Sequence, residues 1–204
     1  MTPLSNRDTT HSLQDGLTRT RGVVEQLLSL ARTQSGRGMA LRPTDPTQVL
    51  HQFVKDLMPM AQQRGIDLGM ERAAGAPILA DPTQLYTLLR NGLENALRYT
   101  PPGGRVDLAV FTETPDDGVP RVIIDICDTG PGIPPQDLQR AFEPFERLEH
   151  TAGSLGSGLG LAIMRNIADN LGGRIQLENR PMGGLRVRYS QPAISNGEPP
   201  AGRA

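Results

Sequence analysis

The chain has 204 residues and a formal net charge of −1, with 21 Lys and Arg against 22 Asp and Glu. A chain of this length buries one domain-sized core, and its balanced charge argues against a nucleic-acid partner, which a basic surface would attract. The single cysteine, Cys127, excludes a disulfide framework and a cysteine-based zinc site. The sequence contains neither an apolar run of about 18 residues nor a signal peptide, so we expect a cytoplasmic protein without a membrane segment.

Residues 12–35 are predicted to form one long amphipathic helix. Their apolar side chains recur at alternating spacings of four and three residues, which is typical of a coiled coil or helical bundle. Such a helix either packs on its own domain or pairs with another helix, including the same helix of a second chain, and the spacing favours pairing. Gly36 and Gly38 end the helix and begin a linker.

The remainder of the chain interleaves helices with short strands. Pro46 begins a helix that runs to about Arg64, and Asp81 caps a second helix over 82–99, with Gln84 predicted to complete a capping box. A third helix is predicted over 158–171, after a short helix near 135–140. Strands are predicted near 66–72, 78–80, 105–113 and 121–127 and in a final hairpin that turns at 182–184.

This order of elements predicts an α+β fold, a two-layer sandwich of helices on an antiparallel sheet. We expect three parts: residues 1–38 as a helical segment, residues 39–191 as the domain, and residues 192–204 as a disordered tail rich in Pro, Gly and Ala.

Two asparagines share one face of the helix over 82–99. At about 100° per residue, Asn91, Asn95 and Arg98 fall within a wedge of about 60°, at the edge of the leucine-rich face. Asparagine is a mediocre helix former, and its amide oxygen is a hard ligand suited to Mg²⁺, which completes its shell with phosphates and water. Taken alone, the pair is better explained as polar side chains at the edge of the core.

A carboxylate stands at the end of a predicted strand in IIDICDTGPGIP. Asp128 is followed at once by Gly130 and Gly132, which bend the chain. A carboxylate fixed in this way can accept a hydrogen bond from an exocyclic amine such as that of adenine. The alternative is an Asp that only caps its own turn, which is common in such sequences.

A glycine-rich run, GSLGSGLGLAI, opens the helix over 158–171. Gly156, Gly158 and Gly160 leave backbone N–H groups free where a helix begins, and such positions favour phosphate. The run is neither a Walker A loop, because no Lys-Ser/Thr follows it, nor a dinucleotide-binding fingerprint, because its spacing differs. By itself it could equally be a hinge.

Together these segments resemble the sensor histidine kinases of bacterial two-component systems. NGLENALRYTP is similar to their N box, DTGPGIP to the G1 box, FEPFER to the F box and GSGLGL to the G2 box, in the same order. The resemblance covers about residues 40–190, and VVEQLLSLARTQSG is similar to the second helix of their dimerisation and phosphotransfer domain.

The resemblance implies the ATP-binding fold shared with the gyrase, Hsp90 and mismatch-repair ATPases, and it implies ATP and Mg²⁺ as ligands. Asn95 would hold Mg²⁺ on the phosphates, Arg98 would approach the phosphate chain, Tyr99 would pack near the base, and Asp128 would bind the adenine amine. The segment over 133–157 would be a lid over the nucleotide, anchored by two phenylalanines. The implied nucleotide-binding set is Asn91, Asn95, Arg98, Tyr99, Asp128, Gly130, Gly132, Ile133, Phe142, Phe145, Gly156, Ser157, Gly158, Leu159 and Gly160.

The phospho-accepting histidine of these kinases is followed by an acidic residue and lies on the first dimerisation helix. None of His11, His51 and His150 stands in that context, and the first helix is also expected to be absent. We therefore expect no catalytic nucleophile here, and a chain that transfers the γ-phosphoryl group of ATP to a histidine of a kinase dimerisation domain, for relay to a response regulator.

Two other functions remain open at this point. A non-catalytic, nucleotide-responsive module could pair through residues 12–35 with a full-length kinase. An ATPase of the gyrase or Hsp90 type would use a Glu four residues before the Mg²⁺-binding asparagine, and Asn91 at that position argues against it.

Overall fold

The computed structural model describes residues 40–146 and 157–194. Several predicted features lie outside these ranges: the helix over 12–35, His11, His150, Gly156 and residues 195–204 of the tail. No helix within the described residues is long and apolar enough to cross a membrane.

Short strands and three α-helices build the described part of the chain. The strands are β1 (Arg42–Thr44), β2 (Asp67–Ala74), β3 (Ile78–Ala80), β4 (Arg105–Glu113), β5 (Arg121–Asp128), β6 (Arg174–Asn179) and β7 (Leu185–Pro192). The helices are α1 (Pro46–Gln63), α2 (Pro82–Tyr99) and α3 (Gly160–Asn170), with single turns of 3-10 helix at Pro135–Asp137 and Arg140–Phe142.

Five strands form one mixed sheet in the order β2-β4-β5-β7-β6. Strands β2 and β4 are parallel, whereas the other neighbours are antiparallel. Strands β1 and β3 form a separate antiparallel pair. The side chains of Tyr189 and Gln191 link the two sheets, because the Tyr189 hydroxyl donates to Gln191 Oε1 (2.6 Å) and Gln191 Nε2 donates to the carbonyl of Leu79 (2.7 Å).

The two faces of the large sheet differ in chemistry because successive side chains of a strand point to opposite faces. One face is apolar in the central strands, where Leu108 lies opposite Ile126, and the helices pack on it around a single buried cluster. On the other face the Asp125 carboxylate accepts two hydrogen bonds from the Arg188 guanidinium, one from Nε (2.8 Å) and one from Nη2 (2.7 Å). Cys127 is half-buried on this charged face, and burial raises the pKa of its thiol. The predicted two-layer α+β sandwich is confirmed, but the sheet is mixed and not antiparallel throughout as predicted, because β2 pairs with β4 in parallel.

Helix α2 begins where the sequence predicts it. Asp81 Oδ1 accepts hydrogen bonds from the backbone N–H groups of Thr83 (2.9 Å) and Gln84 (3.1 Å), with Pro82 at the first helical position. The predicted capping box is wrong in one respect, because the buried Gln84 Oε1 has no hydrogen-bond partner in the described structure and the Gln84 side chain does not reach back to the cap. The leucines of α2 are buried, which leaves its polar face free.

Three predicted boundaries are corrected. The helix predicted over 158–171 begins at Gly160 and ends at Asn170, and the short helix near 135–140 is two 3-10 turns. The domain also extends past residue 191, because β7 continues to Pro192 and the N–H groups of Ala193 and Ile194 donate to the carbonyls of Pro120 and Pro77 (2.8 and 3.0 Å). Backbone pairing therefore holds residues 192–194, which composition alone had placed in the tail.

Candidate functional site

The middle of α2 presents two amides on the face that its leucines leave free. Asn91 Nδ2 donates to the carbonyl of Thr87 one turn earlier (2.8 Å), which fixes this side chain and turns its oxygen away from the helix backbone. The half-buried Asn95 side chain makes no hydrogen bond with any part of the described chain. Arg98, in the last turn, likewise forms no ion pair within the described residues. Three polar groups thus lie along one helix face, and two of them have no partner among the residues that the structure describes.

The start of α3 lies directly against these amides. A Cβ added to Gly160 would come within 3.0 Å of Asn95 Nδ2 and 3.4 Å of Asn91 Oδ1. Leu159, which precedes the helix, is fully buried and anchors this turn in the core, and its N–H donates to Ser157 Oγ (3.3 Å). The structure therefore brings the asparagine pair and the glycine-rich helix start together, with backbone where a side chain would fill the space.

Asp128 occupies the last position of β5 and is only 5% exposed. Its Oδ1 accepts hydrogen bonds from the N–H groups of Gly130 (2.8 Å) and Leu185 (3.1 Å). No residue of the described ranges donates to Oδ2, so one carboxylate oxygen remains available. Burial raises the pKa of Asp128, and the two N–H donors and the nearby Arg180 offset part of that rise.

The turn after Asp128 packs against the end of α2. A Cβ on Gly130 would lie 2.8 Å from the carbonyl oxygen of Tyr99, so only glycine fits there without a shift of backbone. Because α2 rises about 1.5 Å per residue, Tyr99 lies about 6 Å along the axis from Asn95. The Asp128 carboxylate therefore lies near the C-terminal end of α2, and the two amides lie about one turn earlier on the same helix.

Two phenylalanines were predicted to anchor the segment over 133–157, and the structure places them in different surroundings. Phe142 is partly buried against the core, and the guanidinium of Arg165 lies 4.6 Å from the centre of its ring. Phe145 is 59% exposed, and it is held through its backbone, whose N–H donates to the carbonyl of Gly158 (3.1 Å). Phe145 and Gly158 both have left-handed backbone conformations, with φ of 66° and 71°. This contact joins the two described ends of the segment.

Comparisons with known proteins decide the family. Residues 80–194, more than half of the chain, match the profile of the family described as "Histidine kinase-, DNA gyrase B-, and HSP90-like ATPase". The chain belongs to this ATPase family.

Several relatives within the family are sensor proteins. The chain is 37% identical over 174 residues to Sensor protein KdpD of Rathayibacter rathayi, a match that covers 85% of this chain and 19% of that protein. It is 32% identical over 177 residues to Sensor protein CutS of Streptomyces coelicolor, covering 85% of this chain and 41% of that protein. The chain thus spans less than half the length of these curated relatives.

Solved structures agree with the fold. The mycobacterial sensor histidine kinase MprB is 29% identical with a TM-score of 0.61, over 75% of this chain and 97% of that one. Full-length ShkA, whose structure is a complex with AMPPNP, is 27% identical with a TM-score of 0.74, over 94% of this chain and 40% of that one. The resemblance to sensor histidine kinases that the four sequence boxes predict is confirmed.

The wall behind Asp128 contains residues that the motifs did not identify. Arg180 Nη1 donates to the Asp128 carbonyl (2.8 Å), and Gly184 passes so close that an added Cβ would lie 1.9 Å from that same oxygen. Asn179 binds both the N–H and the carbonyl of Ile133 (2.9 and 2.6 Å). One sequence signal could have found Asn179, because it is a polar residue at a register position of β6 where Ile175 and Leu177 face the core.

The structure describes every predicted nucleotide-binding residue of the chain except Gly156. It brings Asn91, Asn95 and Gly160 together at one end, and Tyr99, Asp128 and Gly130 at the other. Gly132 and Ile133 contact Asn179, whereas Phe145 directs its ring to solvent. His51 is exposed on α1.

Proposed function

We propose that this chain is the ATP-binding catalytic module of a sensor histidine kinase, which donates the γ-phosphoryl group of ATP to a histidine outside this sequence. One observation carries the proposal: within the described residues, a buried carboxylate with one oxygen that accepts no hydrogen bond lies beside the end of α2, and an amide without a hydrogen-bond partner lies about one helical turn earlier on α2, beside a glycine-rich helix start. This arrangement suits an adenine at one end and phosphates at the other.

At the base end, Asp128 would accept a hydrogen bond from the exocyclic amine of adenine at Oδ2. Oδ1 cannot serve equally well, because Gly130 and Leu185 already donate to it. The two protein bonds hold the carboxylate in one orientation before the nucleotide arrives, which lowers the free-energy cost of binding.

At the phosphate end, the donor set fits Mg²⁺. Within the described residues no group of three or more His, Cys, Asp or Glu side chains is placed to hold a metal ion, but Mg²⁺ on a nucleotide needs few protein ligands because phosphates and water complete its shell. The amide of Asn95 makes no hydrogen bond within residues 40–146 and 157–194 and would supply one oxygen. Bound Mg²⁺ would neutralise charge on the phosphates during transfer.

The remaining residues would position the phosphate chain. Arg98 brings a guanidinium without a described ion pair to the same helix face, and the bare backbone at Gly158 and Gly160 lets phosphate approach N–H groups where α3 begins. Phosphoryl transfer depends on such positioning and charge stabilisation. The acceptor imidazole would attack the γ-phosphorus in line, with ADP as the leaving group.

The partners belong to the same proposal. The phosphorylated histidine would lie on the dimerisation domain of a kinase and would pass its phosphoryl group to an aspartate of a response regulator. Residues 12–35, with their heptad spacing, would pair with a helix of that domain or with a second copy of this chain. The reaction would take place in the cytoplasm, where ATP is supplied.

Transfer of label from γ-labelled ATP tests the proposal. The full chain would be incubated with Mg²⁺ and labelled ATP, alone and with a purified histidine-bearing dimerisation domain of a related sensor kinase whose own catalytic domain has been removed. We expect acid-labile label on the added domain and none on this chain. Stable acid-labile label on this chain alone would contradict the proposed acceptor, and nucleotide binding without transfer would favour the non-catalytic interaction module.

A further inference from the structure

Asn179 forms a reciprocal pair of hydrogen bonds with one residue of the turn that follows Asp128. Its Oδ1 accepts from the N–H of Ile133 (2.9 Å), and its Nδ2 donates to the carbonyl of the same residue (2.6 Å). A carboxamide that engages both backbone groups of one residue acts as a strand partner would, because it fixes the position and the orientation of both adjoining peptide planes.

The turn needs an external restraint of this kind. Between Asp128 and Ile133 the chain contains Gly130 and Gly132, and Gly132 has a φ of 73°. Glycines have more backbone freedom than other residues, so the segment loses more entropy when it adopts one conformation. A Cβ on Gly132 would lie 2.6 Å from Asn179 Oδ1, so the amide packs directly on this part of the turn.

The same hairpin also holds the start of the turn. Leu185 donates its N–H to Asp128 Oδ1 (3.1 Å), and Arg180 donates to the Asp128 carbonyl (2.8 Å). Asp128 is therefore held at the strand end and Ile133 at the far side, both from residues 179–185. The hairpin between β6 and β7 is thus a support for the turn that carries the base-binding carboxylate.

We propose that Asn179 is a positioning residue for recognition of the nucleobase, an inference that rests on the proposed ATP site. It does not contact the nucleotide. It restricts the turn so that Asp128 Oδ2 faces the 6-amino group of adenine, and it thereby contributes to discrimination against purines that lack this amine. Without it, the turn also adopts conformations in which Asp128 Oδ2 no longer faces this amine, so the advantage of an adenine nucleotide over a purine nucleotide without the amine is reduced.

The ratio of the Kd for inosine diphosphate to the Kd for ADP tests this role. Inosine diphosphate carries an oxygen in place of the 6-amino group and is otherwise the same ligand. The full chain would be titrated with both nucleotides in Mg²⁺, by displacement of a fluorescent ATP analogue. Asn179→Leu removes both hydrogen bonds, and Asn179→Asp keeps the acceptor for Ile133 N–H but sets a carboxylate oxygen against the Ile133 carbonyl. Gln176→Leu is the matched control, since Gln176 is an exposed carboxamide on the same strand.

We expect the ratio to fall about tenfold in Asn179→Leu, because both hydrogen bonds that hold the turn are lost. It should also fall in Asn179→Asp and stay at the wild-type value in Gln176→Leu. If Asn179 had only a structural role, its substitution would lower the melting temperature and weaken the binding of both nucleotides equally, so that the ratio would not change. An unchanged ratio in both Asn179 variants would overturn the inference. If Asn179→Leu does not fold, Asn179→Asp decides. If the wild-type chain binds neither nucleotide, the proposed ATP site fails and this inference fails with it.

Discussion

The base end and the phosphate end of the site are built in opposite ways. Around Asp128 the chain satisfies its own polar groups, with Gly130, Leu185 and Arg180 all donating to this residue. Around Asn95 and Arg98 the described chain leaves side chains without protein partners. The hydrogen-bonded surroundings of Asp128 suit recognition of one base through its shape and through a hydrogen bond to the remaining carboxylate oxygen. An end with free polar groups suits a charged ligand that brings its own partners.

Asp128→Asn should produce the largest effect at the bonded end. The amide has a single oxygen. If this oxygen accepts from Gly130 and Leu185, the NH2 group faces the adenine amine, and if the amide turns over, the NH2 group faces those two N–H donors. We expect ATP affinity to fall by about two orders of magnitude, as for loss of a charged hydrogen-bond partner. Calorimetric titration with Mg²⁺-ATP measures this, and an unchanged Kd would exclude Asp128 from base recognition.

The same variant should not lower stability at neutral pH. Burial raises the folded-state pKa of Asp128 above its unfolded value, so the group stabilises the fold below its unfolded pKa and this contribution is lost as pH rises through the folded pKa. At neutral pH the buried charge therefore disfavours folding, and Asn removes it. A melting temperature equal to or above wild type is expected, whereas a marked fall would mean that lost affinity reflects a damaged fold.

Asn95→Ala tests the end with free polar groups. We expect loss of the Mg²⁺-dependent part of ATP affinity, about tenfold or more, because the proposed metal-binding oxygen is gone, while affinity without Mg²⁺ stays near wild type. Titration with and without Mg²⁺ measures the difference. Asn170→Ala, which removes an amide from the far end of α3, is the control. Equal Mg²⁺ dependence in Asn95→Ala and wild type would place the metal elsewhere.

Gly160→Ala should have a smaller effect, confined to the same end. The added methyl would lie 3.0 Å from Asn95 Nδ2, so the amide must move by a few tenths of an ångström. Because Ala favours helix over Gly by up to about 1 kcal/mol, we expect a melting temperature at or above wild type together with a several-fold weaker Kd for Mg²⁺-ATP. In the double variant with Asn95→Ala, the Gly160→Ala change should cause no further loss of affinity for Mg²⁺-ATP. Full additivity of the two variants would show that the methyl acts without Asn95.

Arg180→Met should have the smallest effect at neutral pH, and its effect should grow on acidification. Arg180 partly offsets the rise in the Asp128 pKa, so its loss raises that pKa further. Protonation of Asp128 weakens it as an acceptor, and the fall in ADP affinity should therefore begin at a higher pH than in wild type. Arg174→Met, at the exposed start of the strand that ends just before Arg180, is the control. Superimposable pH profiles for Arg180→Met and wild type would remove Arg180 from this role.

Local patterns in the sequence predicted much of this site. The Asp81 cap, the amphipathic α2, the strand that ends at Asp128 and the hairpin turn near Gly183 all depend on residues close together in the chain. Two ends of the site could be joined only through the resemblance to sensor histidine kinases, because no local pattern places Gly160 beside Asn95.

What the sequence did not predict depends on contacts between distant residues. Asn179 and Ile133 are 46 residues apart, and Arg180 and Asp128 are 52 apart. No periodicity or spacing relates such pairs. The three-residue strand β1 was also missed, since it is defined by its pairing with β3 and not by its own composition. Phe145 looked like an apolar anchor, but its backbone makes the contact.

Calorimetric titration of the full wild-type chain with Mg²⁺-ATP tests the central claim most directly. We expect saturable binding at one site per chain, tighter with Mg²⁺ than without, and competed by ADP more strongly than by inosine diphosphate. Absence of saturable binding by a folded chain would contradict it, and so would equal competition by the two diphosphates, because a site without adenine selectivity would leave the buried Asp128 carboxylate without its proposed function.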